Sequence, residues 1–301
     1  MAIVARIDAP PQRRVGVVKF ASCDGCQLTL LDLEDELLAL TERFDIVEFP
    51  EATSRRSAGP FDILLVEGSI STPDQLEELL KLRKVTRTLI TIGACATAGG
   101  IQAIRNWSAF EPWAAAVYPR PELVESLATA TPIADHVVVD GELRGCPIDP
   151  GQLLEGLTAA LVGRRPQFPD ESVCLECKRR GVSCVVVARG IPCLGPVTRT
   201  GCGAICPTFG RGCYGCFGPR EQANVAGLVA YAAGSAGAGT GGAGTGGHGD
   251  LDAEVARRFA GFTAWAEPFR SVIGAHGGPP GVAPAARGPN DPEASDARDA
   301  H

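Results

Sequence analysis

Val15-Gly16-Val17-Val18-Lys19-Phe20-Ala21-Ser22-Cys23-Asp24-Gly25-Cys26 runs from a short apolar stretch into a loop with two thiols, and beyond it Leu30, Leu33, Leu37 and Leu40 recur at helical spacing. The change of period predicts a buried strand over Val15–Phe20, a loop, then a helix. The pattern repeats downstream. Ile46–Phe49 and Ile63–Val66 read as strands, and Thr72-Pro73-Asp74-Gln75 is a capping-box start with proline at the first helical position, followed by a stripe of Leu76, Leu79 and Leu80. Thr88–Ile92 reads as a strand ending at Gly93-Ala94-Cys95, and His136–Val139 as one whose exit loop carries Gly145-Cys146-Pro147. Gly151–Leu161 reads as the closing helix. Strands alternating with helices imply an α/β fold with a parallel sheet covered on both faces.

In such sheets ligands bind outside the carboxyl ends of the strands, near the point where strand order reverses. Cys23, Cys26, Cys95 and Cys146 all lie in loops that follow predicted strands, so four thiols distant in sequence are expected to meet on one sheet edge. The other eight of the twelve cysteines crowd into Cys174, Cys177, Cys184, Cys193, Cys202, Cys206, Cys213 and Cys216. Twelve thiols make three four-thiolate sites. Soft thiolate ligands select zinc or iron–sulfur clusters. The late eight, built from CxxC and CxxxCP pieces, resemble the ligand grammar of a two-cluster ferredoxin, with stretched intervals, whereas CxxC pairs also build zinc ribbons. Which of the eight share a site stays open, because in two-cluster ferredoxins the last cysteine of one motif ligates the other cluster.

Composition narrows the class. The 301 residues are 45% apolar with a formal charge of −7, a globular chain that is a poor partner for nucleic acid. No apolar run approaches the roughly 20 residues of a spanning helix. Arg13-Arg14 precedes only a six-residue apolar run, without the hydrophobic region of an export signal, so a cytoplasmic location is expected, where disulfides are rare. From 174 to 220, Lys178, Arg179, Arg180, Arg189, Arg199, Arg211 and Arg220 face one acid, Glu176; this basic excess either offsets anionic clusters or is a solvated face.

The expected organisation is 1–163 as the sheet domain, 170–220 as the two-cluster segment and 221–301 as an extension. Arg164–Pro169 reads as a linker. Ala232–Asp250 is nearly all Gly, Ala, Ser and Thr and reads as flexible coil, Leu251–Ile273 as one amphipathic helix with Val255, Phe259, Phe262 and Trp265, and the chain after Gly277 as disordered.

Ser22-Cys23-Asp24-Gly25-Cys26, Val66-Glu67-Gly68-Ser69, Gly93-Ala94-Cys95-Ala96 and Gly145-Cys146-Pro147 together resemble the small, electron-transferring subunit of [NiFe] hydrogenases. Pro192-Cys193-Leu194-Gly195-Pro196-Val197 and Gly212-Cys213-Tyr214-Gly215-Cys216-Phe217-Gly218-Pro219 resemble the cytoplasmic NAD(P)-linked branch, the sulfhydrogenase delta subunits. The resemblance implies a flavodoxin-like domain with a proximal [4Fe–4S] cluster on Cys23, Cys26, Cys95 and Cys146, then a small ferredoxin-like segment with two further [4Fe–4S] clusters. It also implies a heterotetramer with a nickel–iron large subunit, a flavin/NAD(P)-binding subunit and an iron–sulfur subunit. Membrane-associated relatives use a histidine on the distal cluster; here none of His136, His248, His276 and His301 lies among the late cysteines. Two other families resemble parts of the chain: the 20 kDa quinone-linked subunit of complex I, which uses adjacent cysteines where this chain has Cys23-x-x-Cys26, and deazaflavin-reducing hydrogenase small subunits.

Among residues near the early thiols, Asp24 and Gln27 are candidates for proton transfer or docking, and Glu67 for a loop-fixing hydrogen bond. Gly25 is expected to let the backbone approach the metal group. Trp107 and Trp113 read as packing or interface anchors.

Overall fold

A computed structural model describes residues 12–237 and 257–275. Five parallel strands form the sheet: β1 (Arg13–Lys19), β2 (Phe44–Glu48), β3 (Phe61–Glu67), β4 (Thr86–Ile92) and β5 (Gly141–Leu143), in the order β2-β1-β3-β4-β5. This is the flavodoxin-like order, with its switch point between β1 and β3. Both faces are buried. In β3, Ile63 and Leu65 face a core with Val15, Val17, Leu30, Leu153 and Leu157, while Leu64 and Val66 face one with Val18, Leu79, Leu89 and Ile133. The two-residue alternation of a strand thus feeds two cores, which is why β3 is apolar throughout.

The helix expected over Leu30–Leu40 is two, α1 (Gly25–Leu31) and α2 (Asp35–Thr41), parted by a turn in which Glu34 takes a positive φ of 46°. Helix α3 (Pro73–Lys84) starts with the expected capping box, Thr72 accepting from the Gln75 N–H and Gln75 from the Thr72 N–H. Leu79 is buried and Leu80 exposed, so the stripe is narrower than expected. After α4 (Gly93–Ala98) the chain forms a 3-10 turn, Ile101–Trp107, and α5 (Phe110–Val117). His136–Val139 is not a strand. A 3-10 turn at Ile133–Asp135 leads into an irregular stretch that tucks Val137 under the sheet, and the strand begins at Gly141. The apolar run there is a loop filling the core, which periodicity alone does not distinguish from a short buried strand. Helix α6 (Pro150–Val162) closes the domain, capped by Asp149.

The cysteine-rich segment holds three short helices, α7 (Val173–Arg179), α8 (Val185–Arg189) and α9 (Ile205–Thr208), tied by isolated bridges Ser172–Arg199 and Thr198–Pro219. Helix α10 (Val225–Gly237) runs into the stretch expected to be coil; the rest of the Gly-rich run lies outside the described residues. The single helix expected over 251–273 is also not what forms. Residues 257–259 are helical, turns follow through Glu267, and a separate helix spans Phe269–Ala275. Pro268 stands immediately before the second helix, where a missing backbone N–H costs no helical hydrogen bond. Phe259, Ala264, Phe269 and Ile273 pack with Leu194, Val197 and Val225, so this part of the extension builds a core with the cysteine segment. Residues after Ala275, including the tail expected to be disordered, lie outside the described residues.

Candidate metal centre

The loops that leave the carboxyl ends of β1, β3, β4 and β5 are tied together in pairs. Ala21 and Ser69 exchange backbone hydrogen bonds (3.1 and 3.0 Å), joining the loops after β1 and β3. The Ala94 N–H donates to the Gly145 carbonyl (2.7 Å), joining those after β4 and β5. Gln102 donates from Nε2 to the Ala21 carbonyl (2.6 Å) while its Oε1 lies 3.5 Å from Cys95 Sγ. These ties bring Cys23, Cys26, Cys95 and Cys146 into one space.

The electrostatics report that proximity. Burial pushes the Cys26 thiol up, and Glu67, Cys95 and Cys146 push it further. Cys95 is pushed up to about 11, by burial first, with Cys146 and Cys23 adding to the rise against the Gln102 hydrogen bond. Burial also raises Cys146, with Cys23 and Glu67 contributing. Cys26, Cys95 and Cys146 resist becoming thiolates, and a cationic metal group is the kind of partner that removes the penalty.

Glu67 is 2% exposed at the end of β3, and its carboxylate accepts from the Cys26 N–H (3.2 Å) and from Gln27 Nε2 (2.9 Å). It therefore fixes the first cysteine loop, as expected. Gln27 is fully buried with it, and Asp24 pairs with Lys19. The close backbone approach falls at Gly93 rather than Gly25. With φ at 87°, a Cβ on Gly93 would overlap Cys26 Sγ, whereas one on Gly25 would stand an unstrained 3.5 Å from Cys23 Sγ. Of the tryptophans, Trp107 packs edge-on against Trp265 at 5.4 Å, and Trp113 is exposed.

In the late segment, Cys177 is pushed up to about 11 by burial, with Cys174, Cys193, Cys184 and Cys202 adding. Cys216 is pushed up to about 12 by burial, with Cys202, Cys146 and Cys206 adding. Cys193 lies at the seam: its sulfur accepts from the Gly195 N–H (3.4 Å) and the Cys213 N–H (3.1 Å), and it also acts on Cys206. All twelve cysteines are free of disulfides. Among the described residues no three His, Cys, Asp or Glu are grouped closely enough to hold a single metal ion. A concavity of about 340 Å³ lined by Pro60, Asp62, Lys84 and Arg87 opens at the opposite edge of the sheet.

Sequence reading missed Gln102, Gly93 and Phe217. The last is 3% exposed and packs where a Cβ on Gly145 would lie 2.8 Å from its Cζ, joining the cysteine segment to the β5 loop. Arg144 Nη1 donates to the Pro219 carbonyl (3.0 Å) across the same seam.

The profile of the family described as NADH ubiquinone oxidoreductase, 20 Kd subunit, matches residues 23–160. The delta subunit of sulfhydrogenase 2 from Pyrococcus furiosus is 40% identical over 217 residues, covering 71% of this chain and 90% of its own length. The chain belongs to the hydrogenase small-subunit family. As such a subunit it is also 31% identical over 257 residues to a component of the F420-non-reducing hydrogenase vhu of Methanocaldococcus jannaschii, covering 74% of this chain and 89% of that one. Among solved structures, an NAD+-reducing [NiFe]-hydrogenase in the H2-reduced state aligns with a TM-score of 0.50 and 33% identity, over 53% of this chain and 96% of that one. The 20 Kd profile stops before the late cysteines, whereas the alignments with hydrogenase subunits are longer than the whole sheet domain. Hydrogenase small subunits carry iron–sulfur clusters, and this one is an electron-transfer subunit that works with a large subunit. No helix among the described residues is long and apolar enough to cross a membrane.

Proposed function

We propose that this hydrogenase small subunit carries three [4Fe–4S] clusters and relays electrons, in the cytoplasm, between the nickel–iron site of its large subunit and a flavin/NAD(P)-binding partner that works with a further iron–sulfur subunit. The observation that carries the reading is the meeting of Cys23, Cys26, Cys95 and Cys146 at the switch-point edge, with Cys216 of the late segment beside Cys146. When bound, each cubane supplies one-electron transfer.

The chain's own residues do the positioning. Glu67, Gln27 and Gln102 hold the proximal loops, and the absence of a side chain at Gly93 leaves Cys26 its place. Among the late eight, Cys177 is influenced by Cys174, Cys193 and Cys184 and Cys216 by Cys202 and Cys206, while Cys193 links the two groups by accepting from the Cys213 N–H and acting on Cys206, so the pairing of ligands stays open. The runner-up, a quinone-linked complex I-like subunit, draws support only from the profile over 23–160.

Anaerobically prepared complex is expected to hold, beyond the iron of its partner subunits, about twelve irons per copy of this chain, four for each cubane, and to reduce NAD(P)+ with hydrogen. Far fewer irons sinks the three-cluster reading. Reduction of a deazaflavin in place of NAD(P)+ removes the proposed acceptor and leaves the relay.

A further inference from the structure

Glu176, the one acid alongside seven basic residues between 174 and 220, is not a solvated side chain. It sits half-buried on α7 between Cys174 and Cys177, and its carboxylate reaches across to the loop that carries Cys202. Oε1 accepts from the backbone N–H groups of Gly201 (3.0 Å) and Gly203 (3.2 Å). Oε2 accepts from that of Ala204 (3.0 Å) and lies 3.8 Å from Cys202 Sγ. Left-handed backbone at Gly203 (φ 64°) and Ala204 (φ 53°) turns these amides toward one point, the type of concavity that binds anions. Arg180, at the end of α7, donates from Nη1 to the Gly203 carbonyl (2.9 Å). One helix therefore grips both the donors and an acceptor of a single loop.

We propose that Glu176 is a positioning residue that joins the two late cysteine groups: it seats the loop of Cys202 and Cys206 on the helix of Cys174 and Cys177, and its negative charge lowers the reduction potential of the cluster that Cys202 ligates. The inference rests on the cluster reading given above. An electron added to a cluster meets this fixed charge at close range and partly shielded from water, where screening is reduced. Lys178, Arg179, Arg180, Arg189 and Arg211 are exposed, so solvent damps their opposing effect, and the more buried Arg199 is paired with Asp170 and Glu221. Net charge near a cluster is one of the levers on its potential.

The test uses the anaerobic complex with its large subunit, redox-titrated and followed by electron paramagnetic resonance, with iron determined in parallel. Glu176→Gln keeps length and an acceptor oxygen but removes the charge. The expected result is a raised midpoint for one late cluster, with the proximal cluster unmoved. Glu176→Ala removes the acceptors too and is expected to lose about four irons from the late set, one cubane's complement. Unmoved late midpoints in E176Q, or an equal shift of all three clusters, overturn the charge role. Full iron with wild-type spectra in E176A overturns the positioning role, as does loss of iron from the proximal site in either variant. Wild-type complex without late-cluster spectra sinks the cluster reading itself, and that outcome needs no substitution to be seen.

Discussion

The thiol and the backbone of Cys146 both act on the Cys216 thiol, so a loop of the parallel sheet and the last CxxC of the cysteine segment meet at a cysteine from each. Phe217 lies under Gly145 and Arg144 holds the Pro219 carbonyl, which makes the contact part of a packed seam. On the proposed relay, electron passage between the first and second halves of the chain depends on that seam keeping its geometry.

Replacing Phe217 by Ala therefore has two expected effects. Removing a buried aromatic ring costs about 3–5 kcal/mol, read as a lowered denaturation midpoint of the complex. Loosening the seam slows reduction of the late clusters by hydrogen while the proximal cluster is still reduced at the wild-type rate, which freeze-quench paramagnetic resonance separates. Equal slowing of all clusters contradicts the seam's role.

Gly93→Ala is expected to strike the proximal site alone. The new Cβ would fall on Cys26 Sγ, and the backbone there has a φ of 87°, a region alanine resists. Iron analysis is expected to show about one cubane's worth missing, with the late spectra intact. A full complement of iron contradicts the close approach of Gly93 to Cys26.

The metal-free chain has a defined pH response. Folded-state thiols at Cys95 (about 11), Cys177 (about 11) and Cys216 (about 12) lie above the ordinary value of 9.0. Between these values the folded chain holds more protons than the unfolded one, so this stabilisation is complete below about pH 9 and is lost as pH rises toward 11–12. Urea midpoints of the apo chain are expected to fall across that window. Cluster loading at neutral pH is expected to release protons, which calorimetry in buffers of different ionisation enthalpy detects. A midpoint that stays flat above pH 9 contradicts the burial of these thiols.

Truncation after Ala232 removes Phe259, Phe269 and Ile273 from the core that they share with Leu194 and Val197, residues between Cys193 and Cys202. The milder Phe269→Ala costs about 3–5 kcal/mol. Both changes are expected to lower iron in the late set, the truncation more, without shifting the midpoint of the proximal cluster. A shifted proximal potential contradicts this account.

Much of the site was legible along the chain. Val15–Phe20 leading into Cys23 and Cys26, and Thr88–Ile92 leading into Cys95, declare strand, loop and thiol by local pattern, because period and propensity act over a few residues. His136–Val139 misled for the same reason: an apolar run that fills a core looks like a strand when its neighbours are unseen.

Cysteine number, the strand–loop–thiol units and the N-cap of α3 were determined by sequence, through short-range sterics and hydrogen bonding. Tertiary structure alone decided that Glu67 holds the Cys26 amide, that Phe217 fills the space left by Gly145, that Glu176 grips the Cys202 loop and that residues 257–275 return to the cysteine segment. These contacts join positions tens of residues or more apart. Their geometry depends on how whole elements pack, and no local period encodes it.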